Sequence, residues 1–252
     1  MTILCYHTVD PDWDSSLAVS PSDFEAHCAW LSRRRTVVSL DEAVGRIDRT
    51  ARLPRGETAI TFDDGFAGLY AHALPSLVRH RLPATVFLVA ETLTPRGRAV
   101  DWAPPGSGTL TLDQVLEMAD AGVRFGSHSY SHHDLTALAE SELDRDLADS
   151  RMLLEELLRR PVPFLAYPGG RHDGRVRDSA RRAGYTHAFT LPDEAETPGP
   201  YAIPRAGVYP GNGSAALRIK SSRWYLPLRT TPAFPALRGA VRSLSRSRVP
   251  RG

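Results

Sequence analysis

The sequence predicts an α/β fold built around a parallel sheet, and three features of its 252 residues indicate this. Short apolar runs, typical of buried strands, alternate with longer stretches in which apolar residues recur at helical spacing. Each strand-and-helix unit has the length of a right-handed crossover between parallel strands. Polar side chains follow several strands directly, where a β/α barrel carries its reactive groups. A sheet of this kind either closes into a barrel or stays open.

Seven strands are predicted from the apolar runs. Ala84–Val89 is apolar throughout, as expected for a strand buried on both faces. Thr58–Phe62 is a second apolar run and stops at two aspartates and a glycine. In chain order the predicted strands are Thr2–Tyr6, Thr36–Ser39, Thr58–Phe62, Ala84–Val89, Val123–Ser127, Phe164–Tyr167 and Thr186–Thr190.

The predicted helices lie between these strands. The first, Pro21–Arg34, places Phe24, Cys28 and Leu31 at helical spacing and has Ser20 or Ser22 as its N-cap. The longest, Ser141–Leu158, begins with a serine that we expect to be its cap. The others are a helix capped near Ser39 or Asp41, Leu69–His80, Leu112–Ala121 and Val176–Ala183.

Composition predicts one globular domain followed by a tail. The chain is 42% hydrophobic and 24% charged, and we place the domain at residues 1–226 and the tail at 227–252. Cys5 and Cys28 are too few for a disulfide scaffold and are predicted to be reduced core thiols. The first residues lack the basic and apolar regions of a signal peptide, and no apolar run is long enough to span a membrane. A cytoplasmic location is the resulting expectation.

Charge is distributed unevenly along the chain. Ten of the 31 basic residues and none of the 29 acidic residues lie from Thr197 onward, so residues 1–196 carry a net charge of −8. In the tail, Phe234, Leu237, Val241 and Leu244 recur at helical spacing. The tail is therefore either a basic amphipathic helix that makes a peripheral contact with an anionic membrane, or a segment that packs on the domain or stays disordered. Nucleic-acid binding is not expected, because the main part of the chain is acidic and lacks a stacking-aromatic motif.

Two adjacent carboxylates, Asp63 and Asp64, form the first polar cluster at a strand end. Buried and unpaired, they would be costly, whereas a metal ion bound to one would leave the other free as a base. Gly65 lets the chain turn sharply, so that both side chains can face one cavity.

The second cluster contains His128 and His132, which converge on one side of a helical turn or from a compact loop. Two imidazoles and one carboxylate give the three protein ligands of a catalytic zinc site, which keeps one position open. The third cluster, Tyr167, Pro168, Gly169 and Gly170, offers backbone N–H groups for a developing oxyanion and an aromatic wall for a pocket.

These clusters carry a resemblance to a known family. Thr61-Phe-Asp-Asp-Gly65, His128-x-x-x-His132-x-x-Leu135 and Tyr167-Pro-x-Gly170 resemble the ordered motifs of the polysaccharide deacetylases, which are NodB-like proteins of carbohydrate esterase family four. Leu4-Cys-Tyr-His7, Leu82-Pro-Ala-Thr-Val-Phe87 and Phe125-Gly-Ser agree with it, and the resemblance runs from about Ile3 to Val208. It implies a distorted (β/α)7 barrel, a single domain with the NodB-like deacetylase fold.

The resemblance also implies a reaction and roles for individual residues. The reaction is metal-dependent hydrolysis of the N-linked acetyl group of a sugar, with Asp63 as general base and Asp64, His128 and His132 as metal ligands. Zn²⁺ is the expected ion, and Co²⁺, Ni²⁺, Fe²⁺ and Mn²⁺ are alternatives. Tyr167, Pro168, Gly169 and Gly170 are expected at the substrate, and Trp102 is a candidate for stacking on a sugar ring.

Two departures from the family pattern leave roles to be filled. Ala166 stands where many members have an arginine, and no histidine follows Ala188-Phe-Thr190 where many have their general acid. The branch similar to poly-N-acetylglucosamine deacetylases implies His7, in Tyr6-His-Thr-Val9, as the acid. Arg205 is the candidate to replace the missing arginine by pairing with Asp63, and it is also expected among the substrate-binding residues.

The substrate that the resemblance implies is an N-acetylated sugar in a polysaccharide, a glycolipid or a sugar-containing metabolite. Two alternatives to this function remain: a non-catalytic carbohydrate-binding relative, and a hydrolase of another non-peptide amide at the same metal site. Retention of both Asp63 and Asp64 argues against the first, because binding alone does not need a free base beside a ligand.

Overall fold

The structure, a computed structural model, describes residues 2–50, 56–95 and 107–231. Its strands are β1 (Thr2–Tyr6), β2 (Thr8–Val9), β3 (Ala18–Val19), β4 (Thr36–Val37), β5 (Glu57–Phe62), β6 (Ala84–Leu88), β7 (Arg124–Ser127), β8 (Phe164–Ala166), β9 (His187–Thr190), β10 (Ile203–Pro204) and β11 (Ala206–Gly207). Its α-helices are α1 (Pro21–Arg34), α2 (Leu40–Thr50), α3 (Leu74–His80), α4 (Leu112–Asp120), α5 (Glu140–Leu158), α6 (Gly174–Arg182), α7 (Ser214–Lys220) and α8 (Tyr225–Arg229).

The main sheet is parallel and closes on itself. Its order is β10-β9-β8-β7-β6-β5-β1-β11, and every neighbouring pair is parallel. Only Arg205 separates β10 from β11, so one short stretch pairs with β9 on one side and with β1 on the other. Counting that stretch as one strand, seven strands of the described chain form the barrel. The predicted distorted (β/α)7 barrel is confirmed.

Alternation along the strands divides the core into two parts, because successive side chains point to opposite faces of a sheet. Ile3, Ala59, Phe87 and Phe189 pack together in one cluster inside the barrel. Their neighbours along the strands, including Leu4, Ile60 and Val86, belong to a second cluster that packs against the helices.

Helix α2 lies at the amino-terminal end of the strands. Leu40 and Val44 belong to the same cluster as the barrel interior. Asp48, in the same helix, is 3.0 Å from Nε2 of His187, the first residue of β9. With this end covered, the carboxyl ends of the strands are left for the polar clusters.

Helix starts differ in part from the prediction. Ser20 caps α1, since its hydroxyl accepts the Asp23 N–H at 3.1 Å. The serine cap predicted for the longest helix is wrong: α5 begins at Glu140 with Ala139 as N-cap, and the Glu142 carboxylate accepts the Ala139 N–H at 3.3 Å. A glutamate inside the first turn satisfies a free N–H group as a serine would.

The folded chain extends past the predicted boundary at residue 226. Helix α8 crosses that boundary, and the Arg229 side chain is buried and donates to the Pro192 carbonyl at 2.7 Å. The Glu196 N–H donates to the Thr230 carbonyl at 3.2 Å. The boundary between domain and tail stays a prediction, and these contacts show only that residues 227–230 pack against the barrel. The helical pattern predicted from Phe234 lies outside the described residues.

None of the described helices combines the length and the apolar character that crossing a bilayer needs.

Candidate active site

The chain turns sharply after β5 and directs two carboxylates into the open end of the barrel. Asp64 and Gly65 both have left-handed backbone conformations, with φ values of 70° and 71°. A Cβ on Gly65 would lie 2.7 Å from Cδ2 of Leu88 and would have to displace that side chain, so the left-handed turn favours glycine there. Asp63 and Asp64 are 3% and 4% exposed and therefore need buried partners.

Asp64 meets the two predicted histidines. Its Oδ1 is 3.3 Å from Nε2 of His128 and 3.3 Å from Nε2 of His132. The three potential ligand atoms all lie within 4.8 Å of one another. One carboxylate and two neutral imidazoles suit a borderline divalent ion such as zinc, and three protein ligands leave room for water or substrate. The residues present therefore fit the metal that the resemblance implies.

A hydrogen bond on the side of the ring away from Asp64 holds His128 in place. Its Nδ1 lies 2.8 Å from the Ala166 carbonyl at the end of β8, so Nδ1 donates there and Nε2 faces Asp64. Burial lowers the pKa of His128, but the Asp63 and Asp64 carboxylates raise it more, so the net direction is upward. Burial raises the pKa of Asp64, and hydrogen bonds from His128 and His132 outweigh this and lower it, so that this carboxyl is ionised.

The histidines come from a compact loop, which decides between the two predicted arrangements. Ser129 and His132 both have left-handed backbones, with φ of 68° and 60°. The His132 N–H donates to the Ser129 hydroxyl at 2.9 Å. This fold of the loop brings His132 back towards Asp64.

Arg205 forms a two-pronged ion pair with Asp63. Nη1 and Nη2 donate to the two carboxylate oxygens at 2.7 Å each. Arg205 is fully buried, and its guanidinium lies 5.3 Å from the Phe87 ring centroid. Burial raises the pKa of Asp63, yet Arg205 and His128 lower it below its ordinary value. Arg205 has no exposed surface and contacts Asp63 as predicted, and its predicted contact with the substrate stays a prediction.

His7 lies beside the same carboxylate. One ring nitrogen of His7, the Cys5 sulfur and an Asp63 oxygen are within 4.8 Å of one another. The Cys5 thiol donates to Asp63 Oδ2 at 3.3 Å, and both predicted core thiols are buried and free. The His7 ring stacks on Tyr209 with centroids 6.1 Å apart. Tyr209 was missed at the sequence level, because nothing in Val208-Tyr209-Pro210 distinguishes it from an ordinary strand-end aromatic.

The third cluster is more enclosed than expected. Tyr167 is fully buried, its N–H donates to the Phe189 carbonyl at 3.1 Å and its hydroxyl donates to the Tyr201 carbonyl at 3.0 Å. Pro168 has no N–H, and the Gly170 N–H donates to the Tyr167 carbonyl at 2.8 Å. The backbone N–H of Tyr167 is therefore not available to an oxyanion, and that of Gly169 is the candidate within this segment.

Two further features concern substrate contacts. A cavity of about 1020 Å³ adjoins the third cluster and is lined by Gly169, Gly170, His172, Arg177 and Glu196 among others. Neither carboxylate and neither of the two predicted ligand histidines lines it, so its size alone does not locate the chemistry. Trp102, the predicted stacking residue, lies outside the described residues.

Known proteins with similar sequences are deacetylases by name. A protein of Bacillus subtilis, YxkH, whose name places it among the polysaccharide deacetylases, is 28% identical over 219 residues, covering 86% of this chain and 74% of that protein. A poly-beta-1,6-N-acetyl-D-glucosamine N-deacetylase of Staphylococcus aureus is 26% identical over 200 residues, covering 75% of this chain and 67% of the relative.

Solved structures show the same fold. The Streptococcus pyogenes deacetylase PplD, in complex with acetate, superposes with a TM-score of 0.75 at 23% identity, covering 88% of this chain and 98% of that one. IcaB from Ammonifex degensii superposes with a TM-score of 0.69 at 27% identity, covering 87% and 96%.

The family profile described as polysaccharide deacetylase matches residues 50–188. This range is more than half of the chain and includes all three polar clusters. The chain therefore belongs to the polysaccharide deacetylase family, whose members are hydrolases that remove acetyl groups from polysaccharides.

Proposed function

We propose that this protein is a metal-dependent N-deacetylase that hydrolyses the N-linked acetyl groups of an N-acetylated sugar. The convergence of Asp64, His128 and His132 within 4.8 Å, with Asp63 next in the chain and paired with Arg205, is the observation that carries the proposal. The name of the Staphylococcus aureus relative supports a polymer of N-acetylglucosamine as the substrate class.

Asp64, His128 and His132 would hold the metal, with Zn²⁺ as the first choice and Co²⁺, Ni²⁺, Fe²⁺ and Mn²⁺ as alternatives. Bound there, a divalent ion would supply polarisation of the acetyl carbonyl and a lower pKa for water. Asp63 takes the proton of the attacking water. Arg205, which is fully buried, keeps Asp63 ionised and oriented through the two 2.7 Å hydrogen bonds.

His7 is the proposed general acid. Water adds to the acetyl carbon, the carbon–nitrogen bond breaks, and His7 supplies the proton that the leaving amine needs. Its place beside Asp63, stacked on Tyr209, supports this role. The Gly169 N–H is the proposed backbone donor to the developing oxyanion.

The two alternative functions predict different outcomes in one assay. Acetate release from N-acetylglucosamine oligomers is measured with and without a chelator, for the wild-type protein and for Asp63→Asn. Removal of the base is expected to lower the rate by about 10² to 10⁴-fold, with zinc binding retained. His7→Gln is expected to lower the rate as well, with less effect on a substrate whose amine leaves easily.

Acetate release that survives both the chelator and Asp63→Asn would contradict the mechanism. Binding of the oligomer without any release by the metal-loaded wild-type protein would favour the non-catalytic carbohydrate-binding alternative. Release from non-sugar amides alone would favour the alternative hydrolase.

We also propose that the carboxy-terminal part of the chain makes a peripheral contact with an anionic membrane. No acidic residue follows Glu196, and ten basic residues do. Within the described part, Ile219, Trp224 and Leu228 are 63%, 65% and 45% exposed. Arg223 lies over the Trp224 ring, 4.2 Å from its centroid. Exposed apolar side chains beside arginines are the composition that binds an anionic lipid surface.

A further inference from the structure

The loop that carries the second histidine is strained. Ser129 and His132 both have positive φ values, 68° and 60°, and neither is glycine. Such conformations cost free energy and persist only where the surroundings enforce them. His128 has its own support, since it follows β7 directly and its Nδ1 bonds to the Ala166 carbonyl. His132 lies four residues further on, within the strained loop, so its position also depends on the contacts that hold the loop.

Asp146 of α5 holds one side of this loop. Its Oδ1 accepts the Tyr130 N–H at 2.9 Å, and its Oδ2 accepts the Ser131 N–H at 3.3 Å and the Ser131 hydroxyl at 2.8 Å. All three hydrogen bonds of this half-buried carboxylate therefore go to the two residues that immediately precede His132.

The turn after β6 holds the other side. The Ala90 N–H donates to the Ser129 carbonyl at 3.1 Å, and the Glu91 N–H donates to the Tyr130 carbonyl at 3.0 Å. The loop is thus fixed between a helix and a turn. The direct hydrogen bonds from the helix to residues 130 and 131 come from a single carboxylate, and Ser150 of the same helix bonds to Ser127, whose hydroxyl accepts the Ser129 N–H at 3.2 Å. Since the turn bonds to carbonyl groups and Asp146 bonds to N–H groups, the turn cannot replace the aspartate.

We propose that Asp146 is a positioning residue for the metal centre, which sets the metal affinity by holding His132 in its ligating position. The inference rests on the proposed metal site and adds a residue outside the ligand set. Without the carboxylate, the Tyr130 and Ser131 N–H groups lose their acceptor and the strained loop relaxes. Asp64 and His128 stay in place, so a weakened site of two good ligands is left.

Asp146→Asn is the main test, because the amide keeps the size of the side chain but places a donor opposite a donor. Zinc affinity is measured by competition with a chromogenic chelator, on the full chain. A partner outside the ligand set is worth about 10 to 100-fold in metal affinity, and we expect a loss of that size. Ser131→Ala removes the hydroxyl bond to Asp146, together with the contact of the same hydroxyl with Nδ1 of His133 at 2.8 Å, and keeps the two backbone bonds to the carboxylate. It is expected to give a smaller loss in the same direction.

Asp149→Asn is the matched control, since it changes the same group one turn further along α5, where the side chain makes no hydrogen bond to residues 129–133. Its zinc affinity is expected to equal that of the wild type. The visible spectrum of the cobalt-loaded protein gives a second measurement. Asp146→Asn should change the cobalt bands, because they report ligand geometry, whereas a change in overall stability would not alter them.

The outcomes separate this inference from the proposed function. If Asp64→Asn abolishes zinc binding and Asp146→Asn leaves affinity and cobalt spectrum unchanged, the positioning role is wrong and the metal site stands. If the wild type binds no zinc, or Asp64→Asn leaves zinc binding unchanged, the proposed metal site and the positioning role of Asp146 are both wrong. If Asp146→Asn fails to fold, Ser131→Ala decides: unchanged affinity in that variant overturns the inference.

Discussion

At the scale of single residues, the pair of Asp63 and Arg205 dominates the electrostatics of the site. Both side chains are buried, and their two hydrogen bonds of 2.7 Å satisfy both carboxylate oxygens. Arg205 also donates to the Thr61 hydroxyl at 3.2 Å and to the Thr190 carbonyl at 3.3 Å. Removing one member of such a pair leaves the other charge buried without compensation.

Arg205→Met is therefore expected to lower the free energy of unfolding by about 3 to 5 kcal/mol at pH 7, measured by urea denaturation in the presence of chelator. The direction with pH follows from Asp63. Without Arg205, burial raises the pKa of Asp63 in the folded protein above its pKa in the unfolded chain. The loss of unfolding free energy is therefore largest at pH values above that raised pKa, and it becomes smaller as the pH falls towards the pKa of the unfolded chain.

The control for this variant is Arg182→Met. Arg182 pairs with Asp144 at 2.6 Å, but its side chain is 49% exposed. An exposed pair of this kind contributes about 0 to 1 kcal/mol. If the two substitutions lower the free energy of unfolding equally, burial of the Asp63–Arg205 pair does not increase its importance for stability.

At the scale of elements, β7 and the stretch that closes the barrel set the site geometry together. Strand β7 ends one residue before His128. The closing stretch places Arg205 between its pairings to β9 and β1. Phe87 of β6 connects the two, since its ring lies under the Arg205 guanidinium and against Gly126 of β7.

Gly126→Ala is expected to disturb this arrangement. The added Cβ would lie 2.6 Å from two carbons of the Phe87 ring and 3.1 Å from the Phe164 carbonyl oxygen. Overpacking of this kind costs about 1 to 3 kcal/mol, measured as the change in the free energy of unfolding. Deacetylase activity should fall too, because Phe87 supports Arg205 and β7 leads to His128.

Two variants check the cause. Gly199→Ala adds the same methyl group where nothing lies within 4 Å and should change stability little. Phe87→Leu combined with Gly126→Ala makes room for the methyl group. If the loss of stability in the double variant equals or exceeds the sum of the losses in the two single variants, a clash with Phe87 is not the cause of the destabilisation by Gly126→Ala.

At the scale of the whole molecule, the polar clusters and most of the basic carboxy-terminal residues lie in different parts of the chain. The three polar clusters follow β5, β7 and β8 at the carboxyl ends of the strands. Apart from Arg205, which is buried against Asp63, the basic residues that follow Glu196 lie in or beyond α7 in the sequence. Membrane contact and catalysis can therefore be tested independently.

Sedimentation with vesicles tests the proposed membrane contact. The full chain is expected to bind vesicles that contain phosphatidylglycerol, and to bind them less as salt increases, because the attraction between arginines and headgroups is screened. Deletion of residues 232–252 should weaken binding, and further replacement of Ile219, Trp224 and Leu228 by serine should abolish it. Acetate release from a water-soluble oligomer serves as the control and should not change. Equal binding to neutral phosphatidylcholine vesicles, or none to anionic ones, would exclude this contact.

The sequence by itself determined the local elements and the identity of the reacting side chains. Apolar runs and helical spacing placed α1 at its observed bounds and most strands within one or two residues, because these patterns record which face of an element is buried. The spacing of Asp63, Asp64, His128 and His132 indicated a metal site, since those residue types at strand ends have few other stable arrangements. The roles assigned to them stay predictions.

Only the tertiary structure decided what depends on residues distant in the chain. The closing stretch of Ile203–Gly207 is too short to give a strand pattern, and its conformation follows from pairing with β9 and β1. The pairing of Arg205 with Asp63 joins residues 142 positions apart. Asp146 is one of many acidic residues in a helix until its three hydrogen bonds to the histidine loop are seen. Such contacts form between elements, and no local pattern in the sequence records them.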